Sequence, residues 1–455
     1  MSSATEIIAD YIVTAKYEEL PDNVIQIAKD LLLDTIGCGL GGAKTKPGEI
    51  VINTVKELGG TPESTIFGEG SKVNCMLAGF VNAQLSDLLD YEDTLVTHPS
   101  AIIIPAALAV GERVKASGKE LINAMVVGYE VSTRIVQAIT PSKALSKEVA
   151  VTYGSWCFGA SAVACKLLEL DTPTTMNAFG YAGSHTPQPT WIVKWERPLH
   201  WAKNNFGGQT AAGILGALLA EKGFMAPKKI LDSKLGFPKM IGSDRCDLRM
   251  MTAQLGTTYA ILNASFKPYP ACRWFHPTLD AVQLLMQEHQ LTSEGIKQIN
   301  ANALPDTVEW LVDYKPTMLV DGEFSLPYVV AMVVLGVPNT RWYAEEVLND
   351  LKVLDMTNKV KVILSPEFDA WYDKNRGLLG EVEILATDGK SYRKRVDRPK
   401  GDPKNPLTRD ELLTKFKDLA AYVNLEHDNI TRIIEIIDRL ENLEDITELT
   451  ALLKY

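Results

Sequence analysis

The stretch "EVEILATDGKSYRKRVDRPKGDPKNPLTRDELLTKFKDLAAYV", residues 381–423, changes character three times. Residues 381–396 alternate apolar and polar around Asp388-Gly389, a dipeptide suited to the positive backbone angles of a tight hairpin. The next segment, "RPKGDPKNP" (398–406), holds three prolines and a glycine among charges, which is linker composition. From Thr408 onward apolar residues recur at three and four, the period of an amphipathic helix. "ITRIIEIIDRLENL" (430–443) and "ITELTALLKY" (446–455) continue that period. So few helices cannot enclose a core of their own. They are therefore expected to pack back on an earlier part of the chain.

That earlier part is helical from Ala4 to about Phe266. "VIQIAKDLLLDTIG" (24–37), "LINAMVVGYEVSTRIVQAI" (121–139) and "ASAVACKLLEL" (160–170) all show the helical repeat. Gly, Ala and Ser recur inside such segments, as in "GGQTAAGILGALLAEKG" (207–223), so the helix axes can approach closely. After about 290 strands enter: "IKQINANAL" and "KVKVIL" alternate, and helical segments such as "SLPYVVAMVVLG" stand between them. The expected fold is mostly α. An all-helical main domain is built from both chain ends (1–266 and 403–455), with a smaller α+β lid domain (267–402) between them.

The chain has 455 residues, a formal charge of -11 and a pI of about 5.2, which disfavours nucleic acid or an anionic membrane as partner. A small anionic substrate would need a local cluster of cations. No two of the six cysteines lie within three residues of each other, so zinc-ribbon and iron–sulfur spacings are missing and no metal or cofactor is expected. Reduced thiols at this size fit a cytoplasmic setting. "MSSATEIIADYIV" carries Glu6 and Asp10 where a signal peptide would be apolar, and no apolar run reaches the ~20 residues of a membrane span.

Four stretches could carry chemistry. In "LSDLLDYEDTLVTHPS" (85–100), Asp87, Asp90, Glu92 and Asp93 crowd together, and Asp90, Thr94 and His98 are spaced by four. A continuing helix would align those three on one face. Pro99 disfavours helix at His98, so a loop is expected there. A carboxylate, a hydroxyl and an imidazole suit proton transfer, and the spacing equally fits a capped helix end with solvated acids. In "SFKPYPACRWFHPTLDA" (265–281), Lys267, Arg273 and His276 precede a helix and are interleaved with prolines, either as an anion site or as a basic junction paired with acids. "SHTPQPTWIVKWERPLHWAKNN" (184–205) is a long irregular insert that includes Arg197. "FSLPYVVA" (324–331) places Tyr328 at the head of an apolar helix, a context that suits core as well as site.

Taken in order, these stretches resemble the MmgE/PrpD family. "DYEDTLVTHPSAIIIPAALA" is similar to its Asp-Tyr-Asp-Asp-Thr…His-Pro-Ser signature, "GSWCFGASAVACKLLELD" to its Gly-Ala-rich helix, and "RPLHWAKNNFGGQTAAGILGALLAEKGFMAP" to its Lys-Pro-Leu-His block. "KPYPACRWFHPTLDA" and "FSLPYVVA" complete the set. The resemblance spans nearly the whole chain. It implies the two-domain fold above, a homodimer, and cofactor-independent chemistry on a small di- or tricarboxylate. The activities it brings in are 2-methylcitrate dehydratase, cis-aconitate decarboxylase and iminodisuccinate epimerase.

Carried over by position, Asp90, Thr94, His98 and Lys267 match family site positions. Three positions depart. Ala150 stands where the family often has histidine, Arg197 replaces the lysine of the Lys-Pro-Leu-His block, and Cys272 stands where some members, the decarboxylase among them, have histidine. The expected activity is therefore a 2-methylcitrate dehydratase-like hydro-lyase. Asp90, His98, Lys267 and Tyr328 are its expected catalytic residues, and Thr94, Arg197, Arg273 and His276 its expected substrate contacts. An epimerase, a decarboxylase-like enzyme and a catalytically impaired carboxylate-binding member are the alternatives.

Overall fold

A computed structural model describes residues 2–150, 154–185, 198–200, 205–375 and 377–455. Most of the described chain is helical, with only small sheets. The bundle is built on the helices Asp22–Ala43, Cys75–Asp87, Ser100–Val114, Gly118–Ala138, Cys157–Leu167, Thr172–His185 and Phe206–Glu221. The Phe206–Glu221 helix lies against three of its neighbours, Cys75–Asp87, Cys157–Leu167 and Thr172–His185. Its glycines explain how. A Cβ added at Gly213 would sit 2.6 Å from the Ala160 Cβ and 2.7 Å from the Cys157 carbonyl oxygen, so backbone meets backbone there.

The C-terminal helices Arg409–Tyr422 and His427–Asp438 bury Leu412, Phe416, Ile430, Ile433 and Ile437 in the same apolar cluster as Leu31, Leu32 and Ile36. Ion pairs reinforce the contact: Arg409 lies 2.6 Å from Asp30 and Lys29 lies 2.9 Å from Glu441. A separate cluster holds the intervening domain, with Leu279, Ile299, Val329 and Ile384 among its members. Its sheet runs in the order Val360–Leu364, Ile296–Ala303, Gly380–Ala386, Ser391–Val396. The first pair is parallel and the other two are antiparallel. Asp388-Gly389 forms the hairpin turn, with Gly389 at φ 87°.

The chain crosses between the two clusters twice, side by side. Phe266 belongs to the bundle cluster and Tyr269 to the other. On the return, the Gly401 carbonyl accepts from the Phe266 N–H at 3.0 Å. Gly401 has φ 83°, and a Cβ there would fall 1.9 Å from the Phe266 carbonyl oxygen, so only glycine lets the two crossings touch. No described helix is long and apolar enough to cross a membrane.

One buried acid shapes the bundle locally. Asp93 sits ahead of the Ser100–Val114 helix, accepting from the Ser100 N–H at 3.1 Å and from the Tyr129 hydroxyl at 3.0 Å. These bonds satisfy a donor that the first helical turn leaves open. Burial outweighs them and pushes the Asp93 carboxyl from 3.8 up to about 7.

Two outcomes follow. Gly213→Ala should overpack the Cys157–Leu167 contact and lower the unfolding free energy by about 1–3 kcal/mol; unchanged stability in a denaturant titration would show that the helices have room to part. Asp93 holds a proton in the folded state that the unfolded chain loses near pH 4, so its stabilisation is complete below about pH 4. That stabilisation is lost as pH rises through the folded value of about 7. Asp93→Asn is neutral at every pH and should therefore show a shallower decline of Tm across this window than the wild type. Equal slopes would contradict the assignment.

Candidate active site

The helix Cys75–Asp87 ends just before the acid-rich segment, and the chain does not continue as helix. The Asp90 N–H bonds back to the Asp87 carbonyl at 3.0 Å, and Asp90 takes φ 44°, a left-handed conformation rare outside glycine. Thr94 then pairs with Ser265 in a short antiparallel bridge, N–H to carbonyl at 2.8 and 2.9 Å in the two directions. Val96 is also left-handed, at φ 66°, before Pro99 leads into the next helix. The four-residue spacing of Asp90, Thr94 and His98 is thus not a helix face. A loop brings Asp90 and His98 together, and the same loop tethers Thr94 by its backbone, with its side chain half-buried.

None of the acids is solvated. Asp90, Glu92 and Asp93 are fully buried, Asp87 is 2% exposed and His98 6%. Burying an acid is costly unless it is paired, and the pairs are present. The Lys267 ammonium lies 2.5 Å from the Asp90 carboxylate and donates to the Asp90 carbonyl at 2.5 Å. His98 places Nδ1 2.7 Å from Glu92 Oε1 and Nε2 4.0 Å from Asp90 Oδ1. Asp90, Glu92 and His98 also offer ligand atoms within 4.8 Å of one another, a spacing a metal ion could use. A cationic group already stands in that cluster, however. Lys267 bonds Asp90 directly, so the arrangement favours proton handling over metal binding.

A cavity of about 810 Å³ lies between the bundle and the smaller domain. Lys44, Pro47 and Leu89 line one side, and Leu319, Asn339 and Tyr343 the other. The charged cluster sits behind this wall rather than on it. Leu89 directly precedes Asp90, and Asn339 donates to the Tyr91 hydroxyl at 2.9 Å. Tyr343 donates to the Pro270 carbonyl, and burial, with Glu323 and Asp90 nearby, raises its hydroxyl well above the usual range.

Three expected residues are placed elsewhere. Arg273 donates to the Lys400 carbonyl at 2.9 Å and to His276 Nδ1 at 3.1 Å. His276 Nε2 in turn donates to the Ala271 carbonyl at 3.1 Å. Burial and the cations Arg273 and Lys267 hold the His276 ring well below its usual pKa, so it is neutral. Both residues spend these bonds on the domain junction and neither lines the cavity. The pairing follows from the 3-10 turn Arg273–Phe275, which places Arg273 one turn ahead of His276 at the start of the helix His276–Glu288. Tyr328 lies in the core of the smaller domain, with its hydroxyl donating to the Trp342 carbonyl. Its burial is what its position in an apolar helix allowed. Arg197 lies outside the described residues.

Three contributors carried little or no signal in the sequence. Glu92 was visible as one acid in a run, but its pairing with His98 was not. Asp34 stands out as a lone charge after three leucines. Lys415, 2.6 Å from Asp34, reads as an ordinary lysine on an amphipathic helix. Ala150 and Cys272, the two departures from the family pattern among the described residues, are both buried.

The MmgE/PrpD N-terminal domain matches residues 6–247, and the MmgE/PrpD C-terminal domain matches residues 269–442. A human cis-aconitate decarboxylase is 28% identical over 468 residues, covering 100% of this chain and 95% of the relative. A cis-aconitate decarboxylase of Aspergillus terreus is 27% identical over 457 residues, covering 93% and 91%. The mouse cis-aconitate decarboxylase is 27% identical over 478 residues, covering 100% and 94%. With matched domains on either side of the Lys267 crossing, the chain belongs to the MmgE/PrpD family.

Proposed function

We propose that the protein is a cofactor-independent lyase for a small polycarboxylate, with the decarboxylation of cis-aconitate as its first candidate reaction. The observation that carries the reading is the buried Asp90–Lys267–His98–Glu92 cluster, whose Asp90 directly follows Leu89 of the interdomain cavity wall. The cavity volume is ample for a six-carbon acid. Lys44 and Lys46 give its wall positive charge in an otherwise acidic protein. The relatives above carry the name cis-aconitate decarboxylase, which moves the reading away from the hydro-lyase expected from the sequence.

The chemistry follows from the geometry. Decarboxylation breaks a carbon–carbon bond, releases CO₂ and leaves an electron pair on carbon. That carbon then needs a proton. Glu92 lies 2.7 Å from His98 Nδ1, which leaves Nε2 as the ring nitrogen that can deliver the proton. Two of the three Lys267 N–H donors are spent on Asp90, so Lys267 acts first by holding that carboxylate in place. Its positive charge offsets charge that builds up nearby.

A second reading is the 2-methylcitrate dehydratase type of hydro-lyase. It is favoured by Cys272, which stands where some members of the family, the decarboxylase among them, have histidine. Here Asp90 or His98 would take a proton next to a carboxylate, and the other would assist the departing hydroxyl. The homodimer implied by the resemblance and the cytoplasmic setting expected from the reduced cysteines belong to the same proposal.

Proton NMR of the enzyme with cis-aconitate, and separately with 2-methylcitrate, decides between the two. Release of CO₂ with new vinyl protons from cis-aconitate is the expected result. An unsaturated product from 2-methylcitrate without CO₂ would establish the hydro-lyase instead. No turnover of either would defeat both. His98→Gln should cut kcat by about 10²- to 10⁴-fold with little change in KM. Near-complete activity in that variant would show that the ring only supports the loop.

A further inference from the structure

The Arg409–Tyr422 helix contributes one cation to the interior. Lys415 is 6% exposed, although lysine on an amphipathic helix ordinarily faces water. Its ammonium lies 2.6 Å from Asp34 Oδ1 on the Asp22–Ala43 helix. It also donates to the Tyr91 carbonyl at 2.6 Å and sits 3.9 Å from the centre of the Tyr91 ring. An ion pair joining two helices needs only the first contact. The second and third are aimed at the residue that follows Asp90.

Tyr91 is gripped at its other end as well. Its hydroxyl donates to the Pro268 carbonyl at 3.2 Å and accepts from Asn339 at 2.9 Å. One residue before these grips the backbone at Asp90 is left-handed, a conformation that a non-glycine residue keeps only when its surroundings hold it. The Asp90 carbonyl, next along the backbone, accepts from Lys267.

We propose that Lys415 is a positioning residue for this active site. By binding the Tyr91 carbonyl it holds the strained Asp90 backbone, and so holds the Asp90 carboxylate against Lys267 and His98. The last helices of the chain would then be part of the catalytic scaffold and not only a closing layer of the bundle. Asp34 serves this role by neutralising a buried cation whose second contact is the functional one. Burial favours the neutral carboxylic acid at Asp34, and the Lys415 ammonium opposes it. At Lys415 burial opposes the charged form, but Asp34 with Cys38 and Tyr91 outweighs it and holds the amine above its usual range.

The inference rests on the site reading above, and the test separates the two. Measure kcat, KM and Tm on whichever of cis-aconitate and 2-methylcitrate the wild type converts. Lys415→Met alone leaves Asp34 buried without its partner and should lower both Tm and kcat. The double variant Asp34→Leu/Lys415→Met removes both charges, and such replacements often leave stability unchanged. It should recover Tm while kcat stays about a hundredfold low and KM changes little. A double variant with wild-type kcat would overturn the proposal, whether or not the single variant folds. Asp90→Asn, assayed alongside, reports on the site itself. If it is inactive and the double variant fully active, the positioning role falls and the site stands. If Asp90→Asn is fully active, the site reading falls and the positioning role falls with it.

Discussion

Lys267 and Asp90 meet inside the protein with no solvent on either side chain, 2.5 Å apart. Taking two charges out of water is expensive, and only close contact with further hydrogen bonds offsets the cost. The second bond from Lys267 to the Asp90 carbonyl supplies part of that offset. Lys267 begins the first crossing between the domains, and Asp90 belongs to the bundle. The pair therefore fixes the strained loop, the direction of the crossing and the spacing of the candidate catalytic groups at once. Loss of either partner would leave a buried charge alone, so the site and the docking of the domains depend on the same contact.

Around this pair the protein gathers more acid than base. Asp34, Asp90, Glu92 and Asp93 lie inside with Lys267, Lys415 and His98. Burial pushes Asp93 up to about 7 and raises Asp34 despite the lysine beside it. A closed region with surplus carboxylates retains protons near neutrality, as sites that move protons require. The neighbouring junction works in the opposite sense. Arg273 Nη1 donates to the Lys400 carbonyl and to His276 Nδ1, His276 donates to the Ala271 carbonyl, and burial pulls the arginine down to about 10. Cations near acids do not by themselves make a substrate clamp.

Much of the fold was legible in the sequence because it rests on period and composition. The helical repeat in "VIQIAKDLLLDTIG", the alternation in "IKQINANAL" and the Asp388-Gly389 turn each reappear as a helix, a strand and a hairpin. The clustering of acids with His98 was visible too, and so was the loop imposed by Pro99. The helical spacing of Asp90, Thr94 and His98 misled, because two left-handed residues rather than a helix bring the ends of that loop together. Tyr328, Arg273 and His276 were plausible by residue type, and the structure spends them on core and junction instead.

The sequence by itself determined which segments are helix or strand and which polar side chains a site could draw on. Those are local properties, set by backbone preference and by the side-chain period along one element. Only the tertiary structure decided which of those side chains meet. Lys267 reaches Asp90 across 177 positions and Lys415 reaches Tyr91 across 324. A hydrogen bond forms only where packing brings donor and acceptor within about 3 Å. No spacing along the chain encodes that approach, because it depends on how both cores and both crossings close together.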